Sequence, residues 1–427
     1  MSDPFSPLSL REAARLLEAE VSPGVDGVFA TVGTDSRRLP ADALFVALSG
    51  PNFDGHDFIA AARQQGARAA LVSRWVTDPL PQLRVADTRL ALGRLAASWR
   101  TRFTGPLIAL TGSNGKTTLK EMLAAILRRR GSTLATEGNL NNDIGVPLTL
   151  LRLNAEHGYA VIEMVPTIHG EIAYLTGLAR PDVAIVNNAG PCHLEGFGDV
   201  AGVARAKGEI FQGLSATGVA IISRDDPISR RLLDWAESGR LDQYRFRFGS
   251  TGSGRRAGFG CGHQPFPLDR PHRGDEEFRH CHCPAGTTSA MHWRRRRARW
   301  LVARPWTISE QGLESLHDVG GRLQRLRGRH GGTVIHDAYN ANPASLAAAL
   351  HTVGAGPGRK WLVLGDMREL GPVAMICTPS PAGGQDHGIR TAVRLGRTQP
   401  GGGGGVWGGR PVFHRSGSAG GRTQPRP

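Results

Sequence analysis

PLIALTGSNGKTTLKEMLAAILRRRG, Pro106 to Gly131, decides the fold of this chain. The apolar run Leu107 to Leu110 reads as a short buried strand, and TGSNGKTT, Thr111 to Thr118, as the turn that ends it. Leu119, Met122, Leu123 and Ile126 then recur at helical spacing and place one apolar face on a helix. A strand that enters a helix through a Gly-containing turn is the context a phosphate-binding loop requires. Gly112 and Gly115 allow the tight backbone geometry that aims main-chain N–H groups and a helix N-terminus at phosphate oxygens. On this reading Gly112, Ser113, Asn114, Gly115, Lys116, Thr117 and Thr118 hold ATP. Lys116 reaches the β- and γ-phosphates, and the Thr117 hydroxyl ligates Mg²⁺. The plainer alternative is a Gly-rich turn that happens to contain a lysine.

Outward from this segment, AVIEM (Ala160 to Met164), DVAIVNN (Asp182 to Asn188) and GVAIIS (Gly218 to Ser223) are apolar runs separated by helical stretches. Alternating elements of this kind predict an α/β domain with a doubly wound, mainly parallel sheet. Upstream, ALFVAL (Ala43 to Leu48) and ARAALVS (Ala67 to Ser73) alternate with helix-like stretches such as Leu10 to Leu17, so residues 1–95 read as a smaller α/β domain. The central domain is expected over 96–315, with 251–304 showing neither periodicity. A C-terminal domain, Rossmann-like and truncated, is expected over 316–427, where GGTVIHDAYNANPASLAAAL and KWLVLGDM carry the last globular patterning. From Pro372 onward Gly, Pro, Arg and Thr dominate, and a packed core is not expected there.

The formal charge of +15 over 427 residues would ordinarily point to nucleic acid, but its distribution argues otherwise. Residues 1–250 hold 27 Lys+Arg against 26 Asp+Glu, and residues 251–427 hold 25 against 11, so the excess belongs to the irregular segment. No nucleic-acid partner is expected. No apolar run is long enough to span a membrane, and the first residues lack a signal peptide's apolar core, so a cytoplasmic protein is expected.

The phosphate loop resembles that of the Mur ligases and the folylpolyglutamate synthetases, and longer segments narrow the choice. GNLNNDIGVPLTLLRL (Gly138 to Leu153) and RPDVAIVNNAGPCHLEGFGDVAGVARAKGEIFQGL (Arg180 to Leu214) resemble the Mur ligases that add a D-Ala-D-Ala dipeptide. TDSRRLPADALFVALSGPNFDGHDFI (Thr34 to Ile59) is similar to the uridine-nucleotide-binding domain of the family. DAYNANPASLAAAL and WLVLGDMRELG are similar to its C-terminal domain. The resemblance implies a three-domain, monomeric enzyme that uses ATP and Mg²⁺ to join D-Ala-D-Ala to UDP-N-acetylmuramoyl-tripeptide in peptidoglycan synthesis. An acyl phosphate on the tripeptide carboxylate is the implied intermediate. A ligase adding a single amino acid is the rival within the family, and an inactive product of a damaged gene is the rival outside it.

The same resemblance assigns residues. Glu163 and His193 are implied as ligands to a second Mg²⁺, and Lys207, in ARAKGE, as the lysine whose carbamate also binds metal. With Lys116 they form the implied catalytic set. Asp35, Ser36 and Arg37 are implied in holding the uridine nucleotide, and Asn139 and Asn142 the substrate. Asp337, Tyr339 and Asn342 are likewise placed on substrate, and Asn340 on ATP. Taken singly, Glu163 is a solvent-facing strand-end carboxylate, His193 a turn residue, Lys207 a surface helix lysine, and the asparagines turn formers. Only the flanking matches favour function.

Three segments depart from the family. EMVPTIHGEI (Glu163 to Ile172) stands where the family reads EMGANHPGEI, and the codons GTG CCA ACC ATC for Val165 to Ile168 contain GCC AAC CAT, for Ala-Asn-His, in a shifted frame. PAGTTSAMHWRRRR (Pro284 to Arg297) can likewise be encoded by DNA that reads GRHNVSNAL in another frame, the family's adenine-side motif. The tail after Pro372 has the same character. Cys281 and Cys283 are too closely spaced, with no second pair, for a zinc site.

Overall fold

Uninterrupted apolar runs make strands buried on both faces, and the chain uses them in two sheets. The computed structural model describes residues 5–192, 194–223, 242–246, 258–260, 265–267, 311–316, 318–328, 331–354, 358–365 and 391–394. His193 and the segments suspected of a shifted frame at 284–297 and 372 onward lie outside the described residues, apart from the strand Thr391–Arg394. Residues 1–189 and 199–317 form one compact unit, and residues 190–198 and 318–427 another.

In the first unit, α1 (Leu10–Leu17) precedes a five-stranded sheet of β1 (Glu20–Val21), β2 (Val32–Gly33), β3 (Leu44–Val46), β4 (Ala69–Val72) and β5 (Gln82–Arg84). Their spatial order is β1-β5-β4-β3-β2. Helix α2 (Ile59–Gln64) covers one face, where Phe45, Ala70 and Val72 pack with Ile59 and Ala62. Helix α3 (Thr88–Arg100) starts at Asp87, whose carboxylate accepts from the N–H groups of Arg89 and Leu90.

Helix α3 runs through residue 95, the position expected to divide two domains, and belongs to both cores. Its Leu92, Leu95, Ala96 and Trp99 pack in one continuous cluster with Leu44 and Leu71 of the first sheet and with Ile162 and Leu175 of the next domain. Trp99 Nε1 donates to Leu153 O at 2.9 Å. The Arg100 guanidinium donates to the carbonyls of Phe103, Ala179 and Arg180. Burial lowers the pKa of Arg100, opposed by nearby Asp182.

The second sheet has six strands: β6 (Leu107–Thr111), β7 (Thr133–Ala135), β8 (Tyr159–Glu163), β9 (Val183–Val186), β10 (Val219–Ser223) and β11 (Asp242–Phe246). All its pairings are parallel, in the order β7-β8-β6-β9-β10-β11, as the alternating pattern predicts. Side-chain alternation divides β6 between two layers. Ile108 and Leu110 meet α4 (Lys116–Arg128) through Ala124 and Leu127, and Leu107 and Ala109 face the layer of α5 (Gly145–Leu150) and α6 (Glu171–Ala179). The chain leaves β6 toward β7 and β8 on one side, then crosses to β9 on the other. The ends of β6, β8 and β9 therefore adjoin where strand order reverses, which is where open α/β sheets bind ligands.

In the second unit, Gln324–Arg327 pairs antiparallel with Thr333–His336, and Trp361–Leu364 pairs parallel with Thr391–Arg394. A helix, Pro343–Gly354, packs Leu346 and Leu350 against Leu362 and Leu364. Among the described residues, no helix is long and apolar enough to cross a membrane.

Candidate active site

The loop from β6 to α4 turns at Gly115, whose φ of +74° is a left-handed conformation that favours glycine. At Gly112 a Cβ would lie 3.1 Å from Asn187 Cβ, a tight contact that a larger residue could make only if the end of β9 shifted slightly. No side chain caps α4. Its first-turn N–H groups, which have no intrahelical acceptor, form the positive end that an anion would meet.

Two residues that the sequence did not single out brace the loop. Asn188 Oδ1 accepts from both Ser113 N and Asn114 N at 2.9 Å, and its Nδ2 donates to Asn114 O at 3.0 Å. Asn187 Nδ2 donates to the same carbonyl at 2.9 Å. The N–H groups of Ser113 and Asn114 are thus engaged within the protein, and the first turn of α4 and Lys116 are the groups that an anion at the loop would meet. The Lys116 ammonium donates to the carbonyls of Gly112 at 2.8 Å and Ser113 at 3.2 Å, and this keeps its charge over the loop.

Beside the loop stands Glu163, at the end of β8. It is 1 % exposed, which removes the reading of a solvent-facing carboxylate. Its Oε1 accepts from Asn141 Nδ2 at 3.0 Å and from Thr117 Oγ1 at 3.4 Å. Its Oε2 is buried with no hydrogen-bond partner. A hard dication takes oxygen ligands of these types, and an unmatched carboxylate oxygen next to a threonine hydroxyl fits Mg²⁺. Among the described residues, which do not include His193, no cluster of three or more His, Cys, Asp or Glu could hold a metal by itself.

Lys207 is also 1 % exposed, in the last turn of α7 (Val200–Gly208), which removes the surface-lysine reading. Two residues on, Glu209 accepts from the N–H groups of Gly170 and Ala173 and so caps α6. The atypical segment after Glu163 folds into that cap. Val165 N donates to Asn141 O at 2.9 Å, and the Glu171 carboxylate accepts from Thr167 N and Ile168 N.

The residues assigned to substrate hold local structure. Asp35 caps the turn Ser36–Arg38 and receives both Nε and Nη2 of Arg37, at 2.9 and 2.8 Å. This pairing lowers the Asp35 pKa to about 2. Asn142 Oδ1 accepts from Gly145 N at the start of α5, and Asn139 is exposed. In the second unit Asp337 Oδ1 accepts from Leu323 N, and Asn342 caps the helix that begins at Pro343 through Ser345 N. Asn340 Oδ1 accepts from Ala341 N, and the exposed ring of Tyr339 lies under the Arg322 guanidinium.

In the same domain, buried His56 joins Asp54 through Nδ1 at 2.6 Å and accepts from Ser73 N through Nε2 at 2.9 Å. The backbone donor at Nε2 places the ring proton on Nδ1. Bonds from His56, then from Arg74 and Ser49, hold Asp54 well below the ordinary carboxylate range.

Three profiles of one family match in the order of these domains. "Mur ligase family, catalytic domain" covers residues 28–100, "Mur ligase middle domain" 110–257, and "Mur ligase, glutamate ligase domain" 321–389. The UDP-N-acetylmuramoyl-tripeptide–D-alanyl-D-alanine ligase of Escherichia coli K12 is 40% identical over 417 residues, covering 91% of this chain and 89% of that protein. The chain belongs to the Mur ligase family. It adopts the family's three-domain fold. The crystal structure of MurF from Acinetobacter baumannii has a TM-score of 0.75 and 31% identity, covering 92% of this chain and 87% of that one. The MurF ligase of Thermotoga maritima in complex with ADP has a TM-score of 0.66 and 26% identity, covering 86% and 84%. As a Mur ligase, the chain matches its C-terminal profile to residue 389, beyond the point at Pro372 where its composition changes.

Proposed function

We propose that this Mur ligase joins D-Ala-D-Ala to UDP-N-acetylmuramoyl-tripeptide at the expense of ATP, in the cytoplasm, as a step of peptidoglycan synthesis. The observation that carries the reading is the buried Glu163 carboxylate against Thr117 of the phosphate loop, in a chain similar over 91% of its length to a ligase of that name. The α4 N-terminus and Lys116 bind the ATP phosphates and stabilise charge that develops on the γ-phosphoryl group. Thr117 and Glu163 would hold Mg²⁺, with His193 and carbamylated Lys207 proposed as further ligands, and the bound ion would supply Lewis-acid neutralisation of phosphate charge.

A tripeptide carboxylate oxygen attacks the γ-phosphorus, and the bond to ADP breaks. The amine of D-Ala-D-Ala then attacks the carbonyl carbon of the acyl phosphate, phosphate leaves, and the nitrogen gives up a proton. Positioning and electrostatics suffice here, with no covalent nucleophile from the protein. Asp35, Ser36 and Arg37 are proposed to hold the uridine nucleotide, Asn139, Asn142, Asp337, Tyr339 and Asn342 the rest of the substrate, and Asn340 the ATP.

Phosphate release with ATP and UDP-N-acetylmuramoyl-tripeptide tests the reading when D-Ala-D-Ala is compared with single amino acids as acceptor. Release that depends on D-Ala-D-Ala is expected. Release with a single amino acid would reassign the acceptor, and release with neither would favour the inactive chain.

A further inference from the structure

We infer that Thr136, held in place by Lys120, is the positioning residue that fixes the Glu163 carboxylate for metal binding. Strand β7 ends at Ala135, which pairs with Val161, two residues short of the level at which β8 presents Glu163. On its other side β8 continues its backbone ladder, with Met164 N donating to Leu110 O of β6 at 2.9 Å. On the β7 side, the next N–H of β8 is bonded by a side chain: Glu163 N donates to Thr136 Oγ1 at 2.9 Å. Thr136 is 1 % exposed, so water offers this N–H no ready substitute.

Thr136 is itself held from α4. Lys120 is 1 % exposed, donates to Thr136 O at 2.6 Å, and pairs with Glu121 at 2.7 Å. A buried ammonium persists only where its donors are matched. Residue 120 lies one helical turn beyond Lys116 and Thr117, on the same side of α4. Its bond therefore ties the helix that carries Thr117 to the strand end that orients Glu163. A metal ligand set split between a helix start and a strand end needs such a tie, because the two oxygens must keep their separation within a few tenths of an ångström.

The inference rests on the proposed reading of Glu163 as a Mg²⁺ ligand, and binding of ADP with Mg²⁺ tests it without any acceptor. Affinity for ADP is measured as Mg²⁺ is titrated, and again in EDTA, for the parent chain, Thr136→Val and Thr136→Ser, each checked for an intact thermal transition. Val keeps the shape and loses the hydroxyl, and Ser keeps the hydroxyl. The Mg²⁺ half-saturation point should rise ~10-fold or more in Thr136→Val, as for other residues that orient metal ligands, and stay within about twofold in Thr136→Ser. Affinity in EDTA should be the same in all three.

An unchanged half-saturation point in folded Thr136→Val overturns the inference, and so does an equal defect in Thr136→Ser, which would assign the effect to packing. If Thr136→Val does not fold, Lys120→Met decides, since it leaves the hydroxyl and removes its tether. A rise of roughly threefold is expected there, and no rise overturns the proposal. A parent chain that binds ADP with Mg²⁺ yet fails to use D-Ala-D-Ala would fault the substrate assignment and leave this test standing.

Discussion

Glu163→Gln should stabilise the protein without metal and disable it with metal. Both donors near the carboxylate, Asn141 Nδ2 and Thr117 Oγ1, point at Oε1. The glutamine oxygen must therefore stay on that side, and its NH₂ must take the place of Oε2, the buried oxygen with no partner. Volume is conserved, and a buried charge with an unmatched lone-pair oxygen is replaced by a neutral amide. The NH₂ is as unmatched there as Oε2 was, so the gain comes from removing the buried charge alone, and about 1–2 kcal/mol is expected in EDTA, or roughly 2–6 °C in Tm. A neutral amide cannot replace a carboxylate ligand to a dication, and kcat should fall at least ~100-fold, about 2.7 kcal/mol of transition-state stabilisation. Calorimetric melting in EDTA and phosphate release under saturating Mg²⁺ and ATP measure the two effects. With Mg²⁺ and ATP in excess, the melting difference should shrink or reverse, because the parent gains more by linkage. A Tm in EDTA equal to or below that of the parent, or a kcat within about threefold of it, would refute the reasoning.

Gly93 of α3 faces Tyr174 of α6, and an added Cβ would lie 1.9 Å from the Tyr174 hydroxyl, which is itself buried without a partner. Gly93→Ala should therefore cost ~1–3 kcal/mol despite its better helix propensity, and adding Tyr174→Phe should recover about 1 kcal/mol or more. Urea unfolding that shows the two changes to be additive would contradict this. Asp35, with its pKa lowered to about 2 from 3.8, contributes stability that is present above pH 3.8 and lost as pH falls toward 2. Asp54 acts in the same sense over a lower range. Melting between pH 4 and 2 should accordingly fall less steeply in Asp35→Asn than in the parent, and parallel slopes would show the Arg37 pair to be without effect.

The central sheet was legible because its signal is local: LIAL, AVIE and VAIV are apolar without interruption, and the Gly-containing turn after the first fixes a strand-to-helix junction. The burial of Glu163 and Lys207 was not legible from their own positions. A carboxylate at a strand end is buried or exposed according to which strands flank it, and that depends on β6 lying between β8 and β9. The bracing asparagines were missed for the same reason. The resemblance assigns Asn139 and Asn142 to substrate and passes over Asn141, yet Asn142 caps α5 while Asn141 reaches Glu163. Asn187 and Asn188 follow a strand as turn formers commonly do, and only the β6–β9 pairing brings their amides to a loop some seventy residues earlier.

The uncompensated polar groups point to the same place. Among the described residues three buried side-chain atoms lack a partner: Thr111 Oγ1, Glu163 Oε2 and Tyr174 Oη. Tyr174 is explained by its tight contact with Gly93 in the α3–α6 seam. The other two end neighbouring strands, since Leu110 pairs with Glu163 and Thr111 is the next residue. Elsewhere in the unit even awkward groups are matched, as when Arg100 satisfies three backbone carbonyls and Lys120 finds both a carbonyl and a carboxylate. A fold that satisfies a buried guanidinium and a buried ammonium is able to satisfy a hydroxyl and a carboxylate oxygen. Leaving both unmatched beside the start of α4 is a local cost that persists where a ligand offsets it. A ligand that brings positive charge to these oxygens within reach of Thr117 would do so, and a phosphate-bound divalent cation, as proposed above, has that chemistry.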